Sequence, residues 1–330
     1  MGRIMKRLPF PFLFVREAAM RLSSIRGPAL LMVLTLALAG GCGGASVADA
    51  PGGSRHDARS PAIPVVASTN VYGDVVEQIG GDRVKVVSLI SDPAQDPHSY
   101  EASTQNRLAL SKAKVVVENG GGYDDFIGRM LDSANSSSPT VIDAVQVSGK
   151  APRAGNRLNE HVWYDLPTMG KLADRIAAAL AKAAPADADA FRHNAKTFKD
   201  KLTRLEEQEQ GIKAAHGGSA VAVTEPVPLY LTEASGLRNK TPTDFSESVE
   251  EGSDVSPQSL RQTLDLFTRK QVKALVYNQQ TSSPETEQVK QAAEDHGIPV
   301  VPVTETLPRG QDYLSWMRAN VAALKHALDT

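Results

Sequence analysis

The longest regular pattern in the chain is DADAFRHNAKTFKDKLTRLEEQEQGIKAA, residues 187–215. Its apolar side chains recur at steps of four, three, four, three and seven residues, which places them on one face of an α-helix. They are Phe191, Ala195, Phe198, Leu202, Leu205 and Ile212. At about 1.5 Å per residue the helix would be roughly 40 Å long. We therefore predict a rigid connection between two domains; a surface helix or a coiled-coil arm is the alternative.

Strands and helices are predicted to alternate on both sides of this helix. Before it, strands are predicted at 63–68, 84–90 and 115–117, with helices at 70–79, 104–112 and 124–131. After it, strands are predicted at 220–223, 272–277 and 298–303, with helices at 229–235, 257–270, 284–295 and 313–328. Such alternation is typical of α/β domains with parallel sheets. The predicted fold is α/β, with two lobes that each contain a mainly parallel sheet. The predicted boundaries are 62–184 for the first lobe, 185–216 for the linking helix and 217–330 for the second lobe.

Length and composition limit the class of protein. A chain of 330 residues can form two domains, and 41% hydrophobic with 22% charged residues is usual for a globular protein. The net charge of -2 supplies no basic surface for nucleic acid. Cys42 is the only cysteine, so an intramolecular disulfide and a cysteine-based zinc site are both excluded.

The N-terminal segment has the pattern of a signal peptide, predicted at 1–41. Arginines precede the apolar run 29–39, which is shorter than the roughly 20 residues that a bilayer requires. The run ends at Ala39-Gly40-Gly41-Cys42 and resembles a bacterial lipobox, although Leu38 stands four residues before the cysteine instead of three. Lipidation of Cys42 is therefore predicted, with an ordinary secretory signal as the alternative. Residues 42–61 are mostly small and polar, which predicts a flexible tether.

Four residues are candidate metal ligands. His98 lies in the turn Asp96-Pro97-His98-Ser99-Tyr100-Glu101, and His161 lies in His161-Val162-Trp163-Tyr164-Asp165. Both histidines are expected at strand ends, and Glu225 and Glu305 follow predicted strands. Ligands of parallel sheets bind at the carboxyl ends of strands. Histidine and carboxylate ligands suit zinc, manganese and iron, and two carboxylates neutralise a divalent cation. Taken singly, a histidine of this kind is more often an ordinary buried donor and acceptor, and a glutamate is more often a surface charge or helix-start residue.

These two turns, the helical segment 194–205 and the sequence 230–237 together resemble one family. It is the zinc/manganese group of solute-binding proteins of ABC transporters, also called cluster 9 or cluster A-I. The resemblance extends across residues 62–330. It implies two α/β lobes joined by one long helix, a metal in the cleft, and His98 and His161 as the first two ligands.

The same resemblance bears on the other ligands and on the metal. Glu225 stands where zinc-type members carry a third histidine and some manganese-type or iron-type members carry glutamate. Glu305 stands where aspartate is usual. Asn278 is expected to contact a metal ligand without binding the metal itself. Zinc-type members often carry a loop rich in histidine and aspartate between the first two ligands, whereas residues 99–160 contain no histidine. Manganese is therefore favoured, followed by zinc and then iron.

The predicted function is capture of a divalent transition metal outside the cytoplasm and its delivery to the membrane permease of an ABC transporter. The protein is expected to be a monomer, held by its lipid on the outer face of the bacterial cytoplasmic membrane, and not an enzyme. Two alternatives are a surface adhesin or structural lipoprotein, and a metallohydrolase. A metallohydrolase needs an open coordination position and a general base, and the chain contains no His-Glu-x-x-His motif.

Overall fold

The structure is a computed structural model that describes residues 61–92, 100, 103–133, 138–152 and 157–330. The signal peptide, Cys42, nearly all of the tether and His98 lie outside the described residues. Within the part of the chain that is described, none of the helices is both long and apolar enough to cross a lipid bilayer.

The first lobe contains a parallel four-stranded sheet. Its strands are β1 (Ile63–Thr69), β2 (Val84–Ile90), β3 (Val115–Glu118) and β4 (Thr140–Asp143), in the order β2-β1-β3-β4. The helices are α1 (Asn70–Gly80), α2 (Thr104–Lys112), α3 (Phe126–Ser133), α4 (Ala144–Ser148) and α5 (Leu166–Ala183). Strand β4 and helix α4 were not predicted. Because only Ile142 of β4 is buried, this strand lacks the apolar run by which the other three were recognised.

The long helix α6 spans Ala188–His216, so each end lies within one residue of the predicted position. All six apolar side chains of the predicted stripe are buried. Glu209 is buried on the same face, between Leu205 and Ile212, where the apolar pattern takes its step of seven residues. The predicted helix and its buried face are thus confirmed, with one carboxyl group included in that face.

The second lobe repeats the sheet topology of the first. Strands β5 (Ala220–Val223), β6 (Arg238–Asn239), β7 (Leu275–Asn278) and β8 (Val300–Val303) lie in the order β6-β5-β7-β8, and all pairs are parallel. The helices are α7 (Leu229–Ala234), α8 (Thr243–Glu250), α9 (Pro257–Thr268), α10 (Pro284–Asp295) and α11 (Tyr313–Asp329). Strand β6 and helix α8 were not predicted. Both residues of β6 are exposed and carry no apolar signal.

Two of the predicted helix starts form the expected caps. Ser256 Oγ accepts a hydrogen bond from the backbone N–H of Ser259 at 3.1 Å, and Ser283 Oγ accepts one from Thr286 at 3.2 Å. A proline follows each serine at the first helical position, where its missing N–H costs nothing. Local sequence therefore determines where α9 and α10 begin.

One hydrophobic core extends through both lobes and the long helix. It joins Val65 and Val117 of the first sheet to Val223 and Val276 of the second, through side chains of α5, α6 and α11. Hydrogen bonds also cross between the lobes: Tyr164 donates to the carbonyl of Thr304 at 2.7 Å, Tyr313 donates to the carbonyl of Trp163 at 2.6 Å, and the Asn70 side chain pairs with the backbone of Leu307. These contacts connect the two lobes directly. The exact lobe boundaries stay a prediction.

Candidate metal centre

Three of the four predicted ligands lie together at the interface of the lobes. The exposed fractions of His161, Glu225 and Glu305 are 0%, 2% and 3%. Glu225 and Glu305 lie two residues beyond β5 and β8, at the carboxyl edge of the second sheet, as predicted. His161 Nε2 lies 4.0 Å from Glu305 Oε2. The fourth predicted ligand, His98, lies in the segment 93–99, outside the described residues.

The prediction that His161 follows a strand directly is wrong. Helix α4 and a connecting loop separate it from β4, and it immediately precedes a short 3-10 helix at Val162–Tyr164. Its position is set instead by Asn159, whose Oδ1 lies 2.7 Å from His161 Nδ1. Asn159 Nδ2 donates across the lobe interface to the carbonyl of Pro226 at 3.0 Å. Because the amide nitrogen is used there, the amide oxygen faces the imidazole, and Nδ1 carries the hydrogen.

This arrangement directs the second nitrogen of His161 towards carboxylates. Nε2 lies 3.1 Å from Glu250 Oε1 but makes no hydrogen bond of acceptable geometry with a described residue. The rings of Tyr123 and Trp163 pack around the imidazole, with centroids 6.0 and 5.0 Å from its own. A histidine whose Nδ1–H is held by an acceptor and whose Nε2 faces anionic oxygens has the usual arrangement of a metal ligand.

Glu305 is held by hydrogen bonds from both lobes. Its Oε1 accepts from Asn278 Nδ2 at 2.9 Å, and its Oε2 accepts from the Tyr123 hydroxyl at 3.1 Å. Gln280 Oε1 accepts from the backbone N–H groups of Glu305 and Thr306, which fixes the turn after β8. Asn278, which was predicted to contact a metal ligand without binding the metal, is the last residue of β7. Its side chain contacts the Glu305 carboxylate.

Glu225 is a buried carboxyl group among other carboxyl groups. Burial is the main cause that raises its pKa, and the negative charges of Glu250 and Glu305 raise it further. Hydrogen bonds from Asn278 and Thr281 lower the pKa in part. Its Oε2 has no hydrogen-bond partner among the residues described. Because buried carboxylates without a counter-charge are costly, this cluster is suited to a cation.

Glu250 was not among the predicted ligands. It is the last residue of α8, and its side chain is only 10% exposed beside His161 Nε2. Burial by itself lowers the pKa of His161, but the charges of Glu250, Glu160 and Glu305 outweigh burial and raise that pKa to about 9. In the sequence, Glu250 belongs to the run Glu247-Ser248-Val249-Glu250-Glu251, which has the composition of a solvated helix end. No local signal distinguishes it from its exposed neighbour Glu251.

Across the residues that the structure describes, no three His, Cys, Asp or Glu side chains form a ready-made group for a metal ion. The ligand set His98, His161, Glu225 and Glu305 therefore stays a prediction. The donors present, one imidazole and several carboxylates, suit manganese or zinc. A cavity of about 810 Å³ lies beside them, and Asn159, Pro226, Glu247 and Glu250 are among its lining residues.

The fold, with two parallel sheets and one long helix, is that of the two-lobed solute-binding proteins of metal ABC transporters. Residues 65–327 match the family described as ZnuA, zinc-uptake complex component A, periplasmic, and the chain belongs to that family. The resemblance seen in the sequence is thereby confirmed.

Individual relatives agree with this assignment. The chain is 31% identical over 242 residues to the manganese-binding lipoprotein MntA of Bacillus subtilis strain 168, covering 71% of this chain and 77% of the relative. A zinc-bound deletion mutant of ZnuA superposes with a TM-score of 0.68 at 25% identity, covering 81% of this chain and 98% of that one. The solute-binding protein FpvC of Pseudomonas aeruginosa, in complex with Mn²⁺, has a similar fold, with a TM-score of 0.67 at 24% identity. The superposition covers 81% of this chain and 98% of that one.

Proposed function

We propose that this protein captures manganese or zinc outside the cytoplasm and delivers it to the permease of an ABC transporter. The observation that carries the proposal is the approach of His161 Nε2, from the first lobe, to the Glu305 carboxylate, from the second, at 4.0 Å. The charge of Glu305 also acts on the buried carboxyl group of Glu225. These groups come from both sides of the lobe interface and are fully buried. Membership of the zinc-uptake family and similarity to a manganese-binding lipoprotein support the same function.

The proposed ligands are His161, Glu225 and Glu305, with His98 as the fourth. Two neutral imidazoles and two carboxylates match the charge of a divalent cation. Zinc should bind more tightly than manganese in vitro, because the Irving–Williams order favours zinc at sites of this kind. Manganese is the preferred physiological cargo, since Glu225 supplies a hard oxygen where a third imidazole would favour zinc.

The same comparison supports a proposal for the location of the protein. The relative MntA is named a lipoprotein, and we propose that Cys42 carries the lipid and that residues 42–61 tether a monomeric domain to the membrane. The lobes share a core and several hydrogen bonds, so metal release at the permease would proceed through local loop movement. No feature of the site favours an adhesin or a hydrolase.

Substitution of Glu225 tests the proposed site. Dissociation constants for manganese and zinc would be measured by competition titration on protein stripped with a chelator. Glu225→Ala should weaken both metals, whereas Glu225→His should raise the ratio of zinc to manganese affinity by about tenfold, equivalent to about 1.4 kcal/mol. Glu294→Ala, at an exposed position of α10, serves as the control. An unchanged ratio, with a lower melting temperature of the metal-free protein, would show that Glu225 is only structural.

A further inference from the structure

Glu250 presents a carboxylate oxygen to His161 Nε2. Its Oε1 lies 3.1 Å from His161 Nε2, the ring nitrogen that also faces Glu305. Donor atoms lie about 2.0–2.2 Å from a bound transition metal, so two donors on adjacent coordination positions are about 3 Å apart. The distance between Glu250 and His161 therefore matches two neighbouring ligands of a single ion.

The helix that carries Glu250 is held firmly in place. Phe245 and Val249 of α8 are buried in the second lobe, with exposed fractions of 0% and 5%. Arg157, from the loop that precedes His161, forms an ion pair with Glu251, the residue after Glu250. Burial of Phe245 and Val249 thus positions the end of α8 beside His161, and the exposed ion pair adds little to this.

The charge of Glu250 also reaches the other ligands. Together with burial, it contributes to the raised pKa of Glu225, so the two carboxyl groups lie within electrostatic range. Glu250 additionally lines the cavity of about 810 Å³ beside the site. Glu250 thus borders both this cavity and His161.

We propose that Glu250 is a further ligand of the captured metal and selects for cations that prefer oxygen donors and more than four ligands. This inference rests on the proposed function. A third carboxylate beside Glu225 and Glu305 gives the site more hard oxygen donors than four ligands would supply, which suits manganese better than zinc. Glu250 therefore contributes more to manganese binding than to zinc binding.

The test compares Glu250→Gln with Glu247→Gln in the full chain, after removal of metal with a chelator. Glu247 lies one turn earlier in α8 and lines the same cavity, so it controls for a general loss of negative charge. Glu250→Gln should weaken manganese binding by about tenfold or more and zinc binding by less. It should also change the visible absorption spectrum of bound cobalt(II), which reports coordination number. Glu247→Gln should keep both affinities within about twofold and leave the spectrum unchanged.

Three outcomes would overturn the inference. One is manganese affinity within about twofold of the unsubstituted protein in Glu250→Gln. Another is an equal loss for both metals with an unchanged cobalt spectrum, which would indicate a purely electrostatic role. If Glu250→Gln does not fold, Glu250→Ala replaces it. Unchanged manganese affinity in that variant, which lacks the carboxylate, would be the third. The metal affinities of Glu225→Ala are measured in parallel. If they fall in Glu225→Ala but not in the Glu250 variant, only the inference about Glu250 is wrong. If they are unchanged in both variants, the proposed metal site itself is wrong.

Discussion

Replacing Glu209 by glutamine is expected to stabilise the protein at alkaline pH and to have little effect at acidic pH. Glu209 lies on the buried face of α6, 3% exposed, and its Oε1 has no hydrogen-bond partner in the described part of the chain. Burial, followed by the charges of Glu206 and Asp165, raises its pKa from 4.5 to about 8. The folded state therefore holds this proton more tightly than the unfolded chain does. That stabilisation is fully present below about pH 4.5 and is lost as the pH rises through about 8.

The size of the effect follows from the pKa change. A rise from 4.5 to about 8 corresponds to at most about 5 kcal/mol, at about 1.4 kcal/mol per pH unit. Relaxation and water entry reduce the cost of a buried charge in real proteins, so about 2–4 kcal/mol is expected. Glutamine has nearly the same shape and stays neutral. The difference in free energy of unfolding between the variant and the unsubstituted protein should therefore increase by this amount between pH 5 and pH 9.

Urea unfolding at both pH values, with a chelator present, measures this difference. Titration of the metal site affects both proteins equally and cancels. Glu207→Gln is the matched control, because Glu207 is exposed on the same helix, and it should change the free energy of unfolding by no more than about 0.5 kcal/mol at either pH. If Glu209→Gln shifts stability equally at pH 5 and pH 9, the Glu209 carboxyl does not titrate as argued.

Three other outcomes are expected. Metal affinity should fall as the pH drops below about 9, because the metal must displace a proton from His161, whose pKa is raised to about 9. From the sequence alone, the affinity is predicted to fall near about pH 6.5, the ordinary pKa of histidine. A metal affinity that is the same at pH 9 and pH 6 would remove histidine from the ligands. Metal binding should change the fluorescence of Trp163, whose ring centroid lies 5.0 Å from that of His161. The change should vanish in Trp163→Phe and persist in Trp316→Phe, and the opposite pattern would place the metal elsewhere. Cys42→Ala should move the protein from the membrane to the soluble fraction, and continued sedimentation with membranes would contradict lipidation.

The sequence by itself determined the elements whose signals are local. The stripe of apolar residues, with Pro185 before it and Gly217 after it, located α6 to within one residue at each end. Such signals are local, because helical periodicity depends only on neighbours along the chain. Serine-proline pairs located the starts of α9 and α10. Glu225 and Glu305 were identified as candidate metal ligands because each follows an apolar strand. The carboxyl ends of parallel strands lie at the same edge of a sheet, where ligands bind.

Only the tertiary structure decided which polar residues are buried and what they meet. Strand β6 has two exposed residues and exists because it pairs with β5, a contact that no pattern in Arg238-Asn239 indicates. Glu209 and Glu250 have the local sequence of solvated helical residues, yet packing buries the first in the core and places the second against His161. Burial of a charge depends on elements far apart in the chain. The same glutamate can therefore be a surface residue or a candidate metal ligand, according to what folds over it.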